Sequence, residues 1–154
     1  MTHPQNPADT PALDKADYVL LAEFRHLLRR FLSFSEDAAA GAGLTAQQHQ
    51  ALLAIKGFPG RDHVTVGELA ERLCVRPHSA VGLVDRLESH GLVVRRPGPG
   101  DRRQVVLSLT PAAEAVLAAL SLAHRQEIRR LTPLIRPLFD QLSVQPPSQS
   151  DPSV

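Results

Sequence analysis

The sequence contains little cysteine, few aromatic residues and no long apolar run. Its one cysteine, Cys74, excludes an intrachain disulfide and any cysteine-rich zinc module. There is no Trp, one Tyr and five Phe, so no aromatic pattern points to a particular ligand. Because no apolar run could span a membrane and no signal peptide is recognisable, we expect a cytoplasmic protein with no membrane partner. The 154 residues leave room for one domain.

Charge is nearly balanced over the whole chain but not along it. The net charge is only +1, yet residues 72–103 hold seven arginines against three acidic residues, a net charge of +4. A basic segment on an otherwise neutral body is typical of a surface that binds a polyanion. On charge alone, a solvated basic surface is an equal alternative.

The two ends of the chain are rich in proline and polar residues. We expect residues 1–12 and residues 144–154 to be a disordered arm and tail, because neither can bury enough apolar surface to fold. This leaves residues 13–143 as a single domain.

The first predicted helix runs from about residue 14 to residue 34. Leu20, Phe24, Leu27 and Phe31 recur along it at spacings of four and three, and further apolar residues widen the stripe. A helix that is apolar over so much of its circumference is buried centrally or packed against another chain. The segment Ala39–Gly43 is predicted to follow it as a loop.

Two capping boxes predict the next two helix starts. Thr45 with Gln48, and Thr65 with Glu68, place a hydroxyl and a carboxamide or carboxylate three residues apart, where they satisfy the free N–H groups of a first turn. The helix that begins at Thr45 should extend to about Lys56. Its predicted buried residues are Leu52, Leu53 and Ile55.

A further helix and a hairpin follow. Pro77 suits the first position of a helix that reaches His90, and Gly91 suits its end. The β-branched stretch 92–96 and the alternating stretch 104–109 predict two strands around the turn 97–101, with Val105, Leu107 and Leu109 on one face. The predicted fold is therefore mainly α with a small β-hairpin wing. A winged helix-turn-helix of this kind inserts one helix into the major groove of DNA and reaches the adjacent minor groove with the hairpin tip.

Thr110 and Pro111 predict the start of the last long helix. Thr132 and Pro133 resemble a second helix start, but Pro137 would lack a hydrogen bond inside such a helix. The final helix is therefore expected to begin at Pro133 or at Pro137, or to be kinked at Pro137.

Five segments, in this order and at this spacing, resemble the MarR family of bacterial transcription regulators. The resemblance covers roughly residues 14–143. The segments are Leu44-Thr45, Gly67–Leu73, Val84–Val93, Asp101–Arg103 and Leu109-Thr110.

The resemblance implies a homodimer whose two lobes straddle a pseudopalindromic site in double-stranded DNA. The lobe would span about residues 45–110, and the dimerisation helices about residues 14–34 and 111–143; a monomer core is the alternative role for these helices. The family often binds a small aromatic or anionic effector between the dimer helices and the lobe, which implies a ligand-responsive regulator, here expected to be a repressor. The predicted dimerisation residues are Leu20, Phe24, Leu27, Phe31, Leu117, Leu120, Ile128, Leu131, Leu138 and Leu142.

Residues 77–86 resemble the recognition helix. Val81 and Gly82 occupy places where the family often has Thr and a basic residue. Base readout would therefore depend more on His78, Ser79 and Arg76, or on DNA shape. Alternatively, Gly82 would allow the helix to approach the DNA backbone closely. In the wing, the resemblance implies that Asp101 positions an arginine, with Arg102 or Arg103 in the minor groove. The predicted DNA-binding residues are Arg76, Pro77, His78, Ser79, Gly82, Arg86, Arg95, Arg96, Asp101, Arg102 and Arg103. Of these, Arg95 and Arg96 are expected to contact phosphates.

Other functions find less support in the sequence. Cys74 lies among arginines that could activate a redox-sensing thiol, although a small core residue is the more common role. His49 could join a metal site with the first or last helix, but no set of ligands supports one, and we expect no cofactor. His78 and Ser79 point about 100° apart on a helix and cannot act as a catalytic pair, so no enzyme is indicated. A winged helix that binds only proteins would not need arginines on both helix and wing.

Overall fold

The computed structural model describes residues 12–143 and is mainly helical with a small antiparallel sheet. This confirms the predicted fold class. Residues 1–11 and 144–154, for which we predicted disorder, lie outside the described residues. The elements are α1 (Lys15–Gly41), α2 (Ala46–Lys56), β1 (His63–Val64), α3 (Val66–Leu73), α4 (Pro77–Ser89), β2 (Val93–Pro97), β3 (Val105–Leu109) and α5 (Pro111–Ser143). None of the helices in this described part has the length and apolar character to cross a membrane.

The chain divides into two compact units. The terminal unit comprises the described residues up to Phe31 and from Ile128 onward, and the central unit comprises Leu32–Glu127. All of the predicted DNA-binding residues belong to the central unit.

Both predicted capping boxes are present. The Thr45 hydroxyl accepts a hydrogen bond from the Gln48 N–H at 3.1 Å, and the Gln48 side chain accepts one from the Thr45 N–H at 3.0 Å. The same reciprocal pair joins Thr65 and Glu68 at the start of α3. Two orphan N–H groups are thereby satisfied at each start, which fixes where α2 and α3 begin.

The core of the central unit is formed by one cluster of buried apolar side chains. Leu52 and Ile55 belong to it, whereas Leu53 is 47% exposed, so its predicted burial is wrong; it lies on the face of α2 away from the core. Leu117 and Leu120 are also packed in this cluster. The dimerisation role predicted for them stays a prediction. The cluster is Ala39, Leu44, Ala51, Leu52, Ile55, Val64, Leu69, Leu83, Val84, Leu87, Val93, Leu107, Ala113, Leu117 and Leu120.

The sheet has the strand order β1-β3-β2. The hairpin β2–β3 was predicted, but β1 was not, because two residues are too few to show an alternating pattern. Val106 and Leu107 are buried and Leu109 is half-buried, while Val105 is 52% exposed. Val105 pairs with Pro97 at the tip end of the hairpin.

Thr110 closes the base of this hairpin. Its backbone N–H donates to the Leu92 carbonyl at 3.0 Å, and its hydroxyl donates to the Gly91 carbonyl at 2.7 Å. The same hydroxyl accepts from the Ala113 N–H at 3.2 Å, which caps α5 as the sequence predicts. One residue therefore joins the end of α4, the end of the hairpin and the start of α5.

Two helices are longer than predicted. α1 continues through Ala39 to Gly41, because alanine is the best helix former and overrides the expected loop. α5 is continuous from Pro111 to Ser143, so the predicted start at Pro133 or Pro137 is wrong. Both prolines are exposed and lie four residues apart on one side of the helix, where water can satisfy the carbonyls that they leave without a donor.

The terminal unit buries few of its many apolar side chains. Leu20, Leu27 and Leu131 are buried, and the rings of Phe24 and Phe139 meet edge to face at 6.0 Å. Most of the exposed large apolar side chains of the described chain belong to this unit: Leu13, Tyr18, Val19, Leu21, Phe24, Leu28, Ile128, Leu134, Phe139 and Leu142.

Candidate nucleic-acid interface

The exposed face of α4 forms the centre of the candidate interface. Its opposite face carries Ala80, Leu83, Val84 and Leu87, whose burial fixes the rotation of the helix about its axis. A surface cavity of about 400 Å³ lies along the exposed side. It is lined by Gln47, Val75, His78, Ser79, Gly82, Leu83 and Arg86.

Four of the predicted DNA-binding residues therefore share one surface with two residues that sequence reasoning missed. Gln47 lies in the first turn of α2, directly before the capping residue Gln48, and Val75 lies in the turn between α3 and α4. The capping box could have indicated that the Gln47 amide is exposed at the start of α2. It could not have indicated that α4 lies beside this amide.

Arg86 turns back along α4 over Gly82. A Cβ atom placed on Gly82 would lie 3.6 Å from Arg86 Nη1, which is ordinary van der Waals contact. The two residues are four apart, the spacing at which side chains of a helix meet on one face. A methyl group at position 82 would therefore leave the guanidinium where it lies.

Arg95 is engaged within the protein. Its guanidinium donates to Asp85 Oδ1 at 2.6 Å and also to Glu88, both on α4. The hydrogen bond to Asp85 is the main reason why the pKa of Arg95 is raised above its ordinary value. The carboxylates of Asp85 and Glu88 would therefore compete with a phosphate for Arg95. The sequence pattern did not show this pairing.

Besides Arg95 and Arg72, whose guanidinium lies over the Phe58 ring, the five other arginines of the basic segment are exposed. Within residues 12–143 no carboxylate lies within ion-pairing distance of any of them. Two acidic residues of the segment, Asp85 and Glu88, are occupied by Arg95, so they do not offset these charges. The five are Arg76, Arg86, Arg96, Arg102 and Arg103.

The wing tip is a tight turn held by backbone hydrogen bonds. Gly98 N–H donates to the Gln104 carbonyl at 2.7 Å, and Gln104 N–H donates to the Asp101 carbonyl at 3.1 Å. The Asp101 carboxylate accepts from the Arg103 backbone N–H at 2.9 Å. Asp101 therefore shapes the turn that carries Arg102 and Arg103, through the backbone of Arg103 and not through its guanidinium.

The turn between α3 and α4 places Cys74 in the left-handed region, with a φ of 53°. Cys74 is exposed, so its expected role as a small core residue is wrong. It occupies the C-cap of α3, where its backbone N–H bonds the last carbonyls of the helix and its side chain points away from the core. Nearby, Phe58 is flanked by the guanidinium groups of Arg61 at 4.4 Å and Arg72 at 5.0 Å.

Two histidines meet inside the central unit. His49 and His124 are both buried, and their ring centroids lie 4.6 Å apart. His124 contacts the Leu120 carbonyl at 2.7 Å and the Ser35 hydroxyl at 2.9 Å, whereas His49 Nδ1 has no hydrogen-bond partner among residues 12–143. Burial, and then the proximity of His124, lowers the pKa of His49. Across the same described range, no cluster of three or more His, Cys, Asp or Glu side chains could hold a metal ion.

Comparison with known proteins agrees with this geometry. The sequence profile of the MarR family matches residues 42–104. The transcriptional repressor NicR of Pseudomonas putida is 33% identical over 132 residues, which cover 82% of this chain and 80% of that protein. The chain belongs to the MarR family of transcriptional regulators.

Solved structures of this family share the fold. AbsC, a MarR family transcriptional regulator from Streptomyces coelicolor, has a TM-score of 0.64 at 19% identity, covering 88% of this chain and all of that one. A mutant MarR from E. coli, complexed with operator DNA, has a TM-score of 0.60 at 22% identity, covering 86% of this chain and all of that one.

Proposed function

We propose that this MarR-family regulator binds a pseudopalindromic operator in double-stranded DNA as a homodimer and represses transcription there. The observation that carries the proposal is the set of exposed arginines on α4 and on the wing tip that have no carboxylate partner among residues 12–143, all in the central unit. Phosphate neutralisation by such cations supplies much of the affinity of DNA-binding proteins. The related protein NicR is a transcriptional repressor, which supports repression by this chain as well.

In this proposal α4 enters the major groove. Arg76, His78 and Ser79 stand at its N-terminal end, where a recognition helix contacts base edges. Arg102 or Arg103 enters the adjacent minor groove from the wing, since a narrow A·T-rich groove attracts arginine. Arg96 contacts phosphate, while Arg95 braces β2 against α4 through Asp85 and Glu88.

We propose that a second copy of the chain covers the apolar surface of the terminal unit. An apolar cavity of about 590 Å³ opens in this unit, with Phe24, Phe31 and Ile128 in its wall. Contiguous exposed apolar surface of this kind marks an interface in a soluble protein. Leu20 and Leu27 support that surface from within, and Leu138 and Leu142 extend it along α5.

Light scattering after size exclusion tests the dimer with a matched pair of variants. Phe24→Asp puts a charge into the proposed interface, and we expect a monomer at micromolar concentration. Val81→Asp puts the same charge on an equally exposed part of α4, and we expect a dimer that no longer binds DNA. A Phe24→Asp dimer that has lost affinity for small aromatic anions would instead assign the cavity to the effector that the family resemblance implies.

Selection of bound duplexes from a random pool tests DNA recognition. We expect the wild-type chain to enrich a motif with two related half-sites whose centres lie about one helical turn apart. Val81→Asp, which we expect to fold and to dimerise because Val81 is exposed, is the control and should enrich nothing. Failure of the wild-type protein to enrich any motif at moderate ionic strength would end the proposal.

A further inference from the structure

The two capping boxes differ in the contact made by the second polar atom of the capping side chain. Glu68 accepts from the backbone at its helix start with one oxygen and from the Arg61 guanidinium with the other. Gln48 accepts from the backbone at its helix start with Oε1, while its Nε2 lies 3.3 Å from His90 Nδ1. A carboxylate therefore faces a permanent cation in one box, and a neutral amide faces an imidazole in the other.

The contact between Gln48 and His90 requires an uncharged imidazole. Because Gln48 Oε1 accepts from the Thr45 N–H, the amide presents its NH2 group to His90, and that group can only donate. His90 Nδ1 must then accept, which it does only when it carries no proton. Turning the amide round would suit a charged imidazole but would leave the Thr45 N–H facing a donor. Gln48 is buried, so water has little access to replace either partner.

This contact joins two elements of the candidate interface. His90 is the C-cap of α4, where its N–H donates to the Arg86 carbonyl at 3.1 Å. Gln47, directly before Gln48, lines the cavity along the exposed side of α4. The Arg86 guanidinium points back toward Gly82 and so away from His90. The hydrogen bond thus fixes the end of α4 relative to the first turn of α2.

Charged groups around the end of α4 are engaged with other partners. Both carboxylates of α4 bind Arg95 of β2, and Arg96 alternates to the opposite face of that strand. Lys56 of α2 binds Glu114 of α5. In the described part of the chain, no carboxylate lies within ion-pairing distance of the His90 ring.

The remaining titratable groups of the elements packed against α4 lie away from this contact. His49 packs against a second histidine in the core, and Glu68 is held in its own capping box. Glu71, Arg72 and His78 lie around the start of α4, at the opposite end of that helix. A change in the charge of the imidazole therefore acts first on the amide.

We propose that His90 is a positioning residue for α4 and acts only in its uncharged form. An uncharged imidazole holds α4 against the first turn of α2, whereas a charged one sets a donor against the buried donor of Gln48 and releases this end of α4. Histidine side chains change charge between about pH 5 and about pH 8. Operator binding should therefore weaken in acid, although added positive charge alone would strengthen DNA binding. This inference rests on the proposed function and adds a response to pH to it.

The test measures affinity for the operator selected from the random pool, by fluorescence anisotropy between about pH 8 and about pH 5.5 at constant ionic strength. His90→Asn is the matched control, because its Oδ1 can accept from Gln48 but takes up no proton. We expect the wild-type protein to lose between about 2-fold and about 10-fold more affinity than His90→Asn over this range, the contribution of one ordinary hydrogen bond. The ratio of operator binding to binding of an unrelated duplex should fall by the same factor.

Gln48→Glu should reverse the sign of this effect. Glutamate is also a capping-box residue, and its second oxygen can accept from a charged imidazole as Glu68 accepts from Arg61. Gln48→Glu should therefore gain operator affinity in acid relative to the double variant that combines it with His90→Asn. The double variant keeps the new carboxylate, so the titration of the other histidines cancels in the comparison.

The outcomes separate this inference from the proposed function. If the wild-type protein enriches no operator, the proposed function fails and this inference fails with it. If an operator is enriched but the two comparisons give the same sign or no difference, the role of His90 is overturned while DNA binding stands. If only the free energy of unfolding follows the predicted pattern, the contact is structural and the positioning role is overturned. Should Gln48→Glu not fold at about pH 8, the comparison of the wild-type protein with His90→Asn decides alone.

Discussion

The guanidinium of Arg95 lies 2.6 Å from the carboxylate of Asp85, a contact that joins the first strand of the wing to α4. Glu88 binds the same guanidinium. The charge of Arg95 is thus compensated within the protein, whereas the neighbouring Arg96 is exposed and has no such partner in the described part of the chain. Two adjacent arginines therefore have different roles.

This difference predicts different salt dependences for Arg95→Ala and Arg96→Ala. Arg96→Ala should remove one phosphate contact per subunit and make the log–log salt slope of the dimer shallower by about 2, from a wild-type value of about −7. Arg95→Ala should leave the slope unchanged and destabilise the fold by at most about 1 kcal/mol, because the ion pairs are partly exposed. Anisotropy titrations at several salt concentrations measure the slopes. Equal changes in slope would show that Arg95 also contacts phosphate.

The wing-tip arginines should contribute most of the minor-groove affinity. We expect Arg102→Ala with Arg103→Ala to weaken operator binding strongly and to remove a preference for A·T pairs beside each half-site. Arg125→Ala with Arg129→Ala removes the same charge from exposed positions on α5 and should change affinity little. The two single wing variants show which arginine enters the groove. Full affinity in the double wing variant would refute a role for the tip.

Gly98 is required where the turn of the wing closes. A Cβ atom at Gly98 would lie 2.8 Å from the Asp101 carbonyl oxygen, which is backbone and cannot move away without opening the turn. Gly98→Ala should therefore destabilise the protein or its wing by about 1–3 kcal/mol and weaken DNA binding. Gly100→Ala, two residues away, meets nothing within 4 Å and is the matched control. Chemical unfolding measures the stability of both variants, and fluorescence anisotropy measures their binding to DNA. If Gly98→Ala and Gly100→Ala gave the same results, the close approach of position 98 to the Asp101 carbonyl would be contradicted.

His49 should make the stability of the fold depend on pH. Its pKa is lowered by burial and by His124, so below the ordinary value of 6.5 the unfolded chain binds more protons than the folded protein. The free energy of unfolding should consequently be unaffected by His49 above about pH 6.5 and decrease as the pH falls below that value. In His49→Gln this part of the pH dependence should be absent when denaturant unfolding is followed from pH 7.5 to pH 5. An identical profile in the variant would show that His49 is not the group responsible.

Local signals in the sequence predicted most of the central unit. The two capping boxes, Pro77 and Gly91 mark helix boundaries through hydrogen bonds within a few residues, and these signals do not depend on the rest of the fold. The hairpin was recognisable for the same reason. β1 was not, because its two residues become a strand only through pairing with β3.

The errors arise where distant parts of the chain decide the outcome. Pro133 and Pro137 would end an isolated helix, but α5 tolerates them on its exposed side. The pairing of Arg95 with Asp85 depends on the position of β2 beside α4, which no spacing in the sequence reveals. Similarly, the sequence shows a glycine at position 82, but it does not show that the Arg86 side chain folds back along α4 toward that glycine.

Thr110 has a consequence for the dynamics of the hairpin. Because Thr110 fastens the base of the wing to the end of α4 and the start of α5, we expect motion of the hairpin to be smallest there and to increase toward the turn at residues 98–104. Arg102 and Arg103 would then lie on the more mobile end of the hairpin. Part of their interaction energy with a groove must be spent on ordering that segment, so a cross-link that stiffened the tip in its bound shape would slow dissociation without adding a contact.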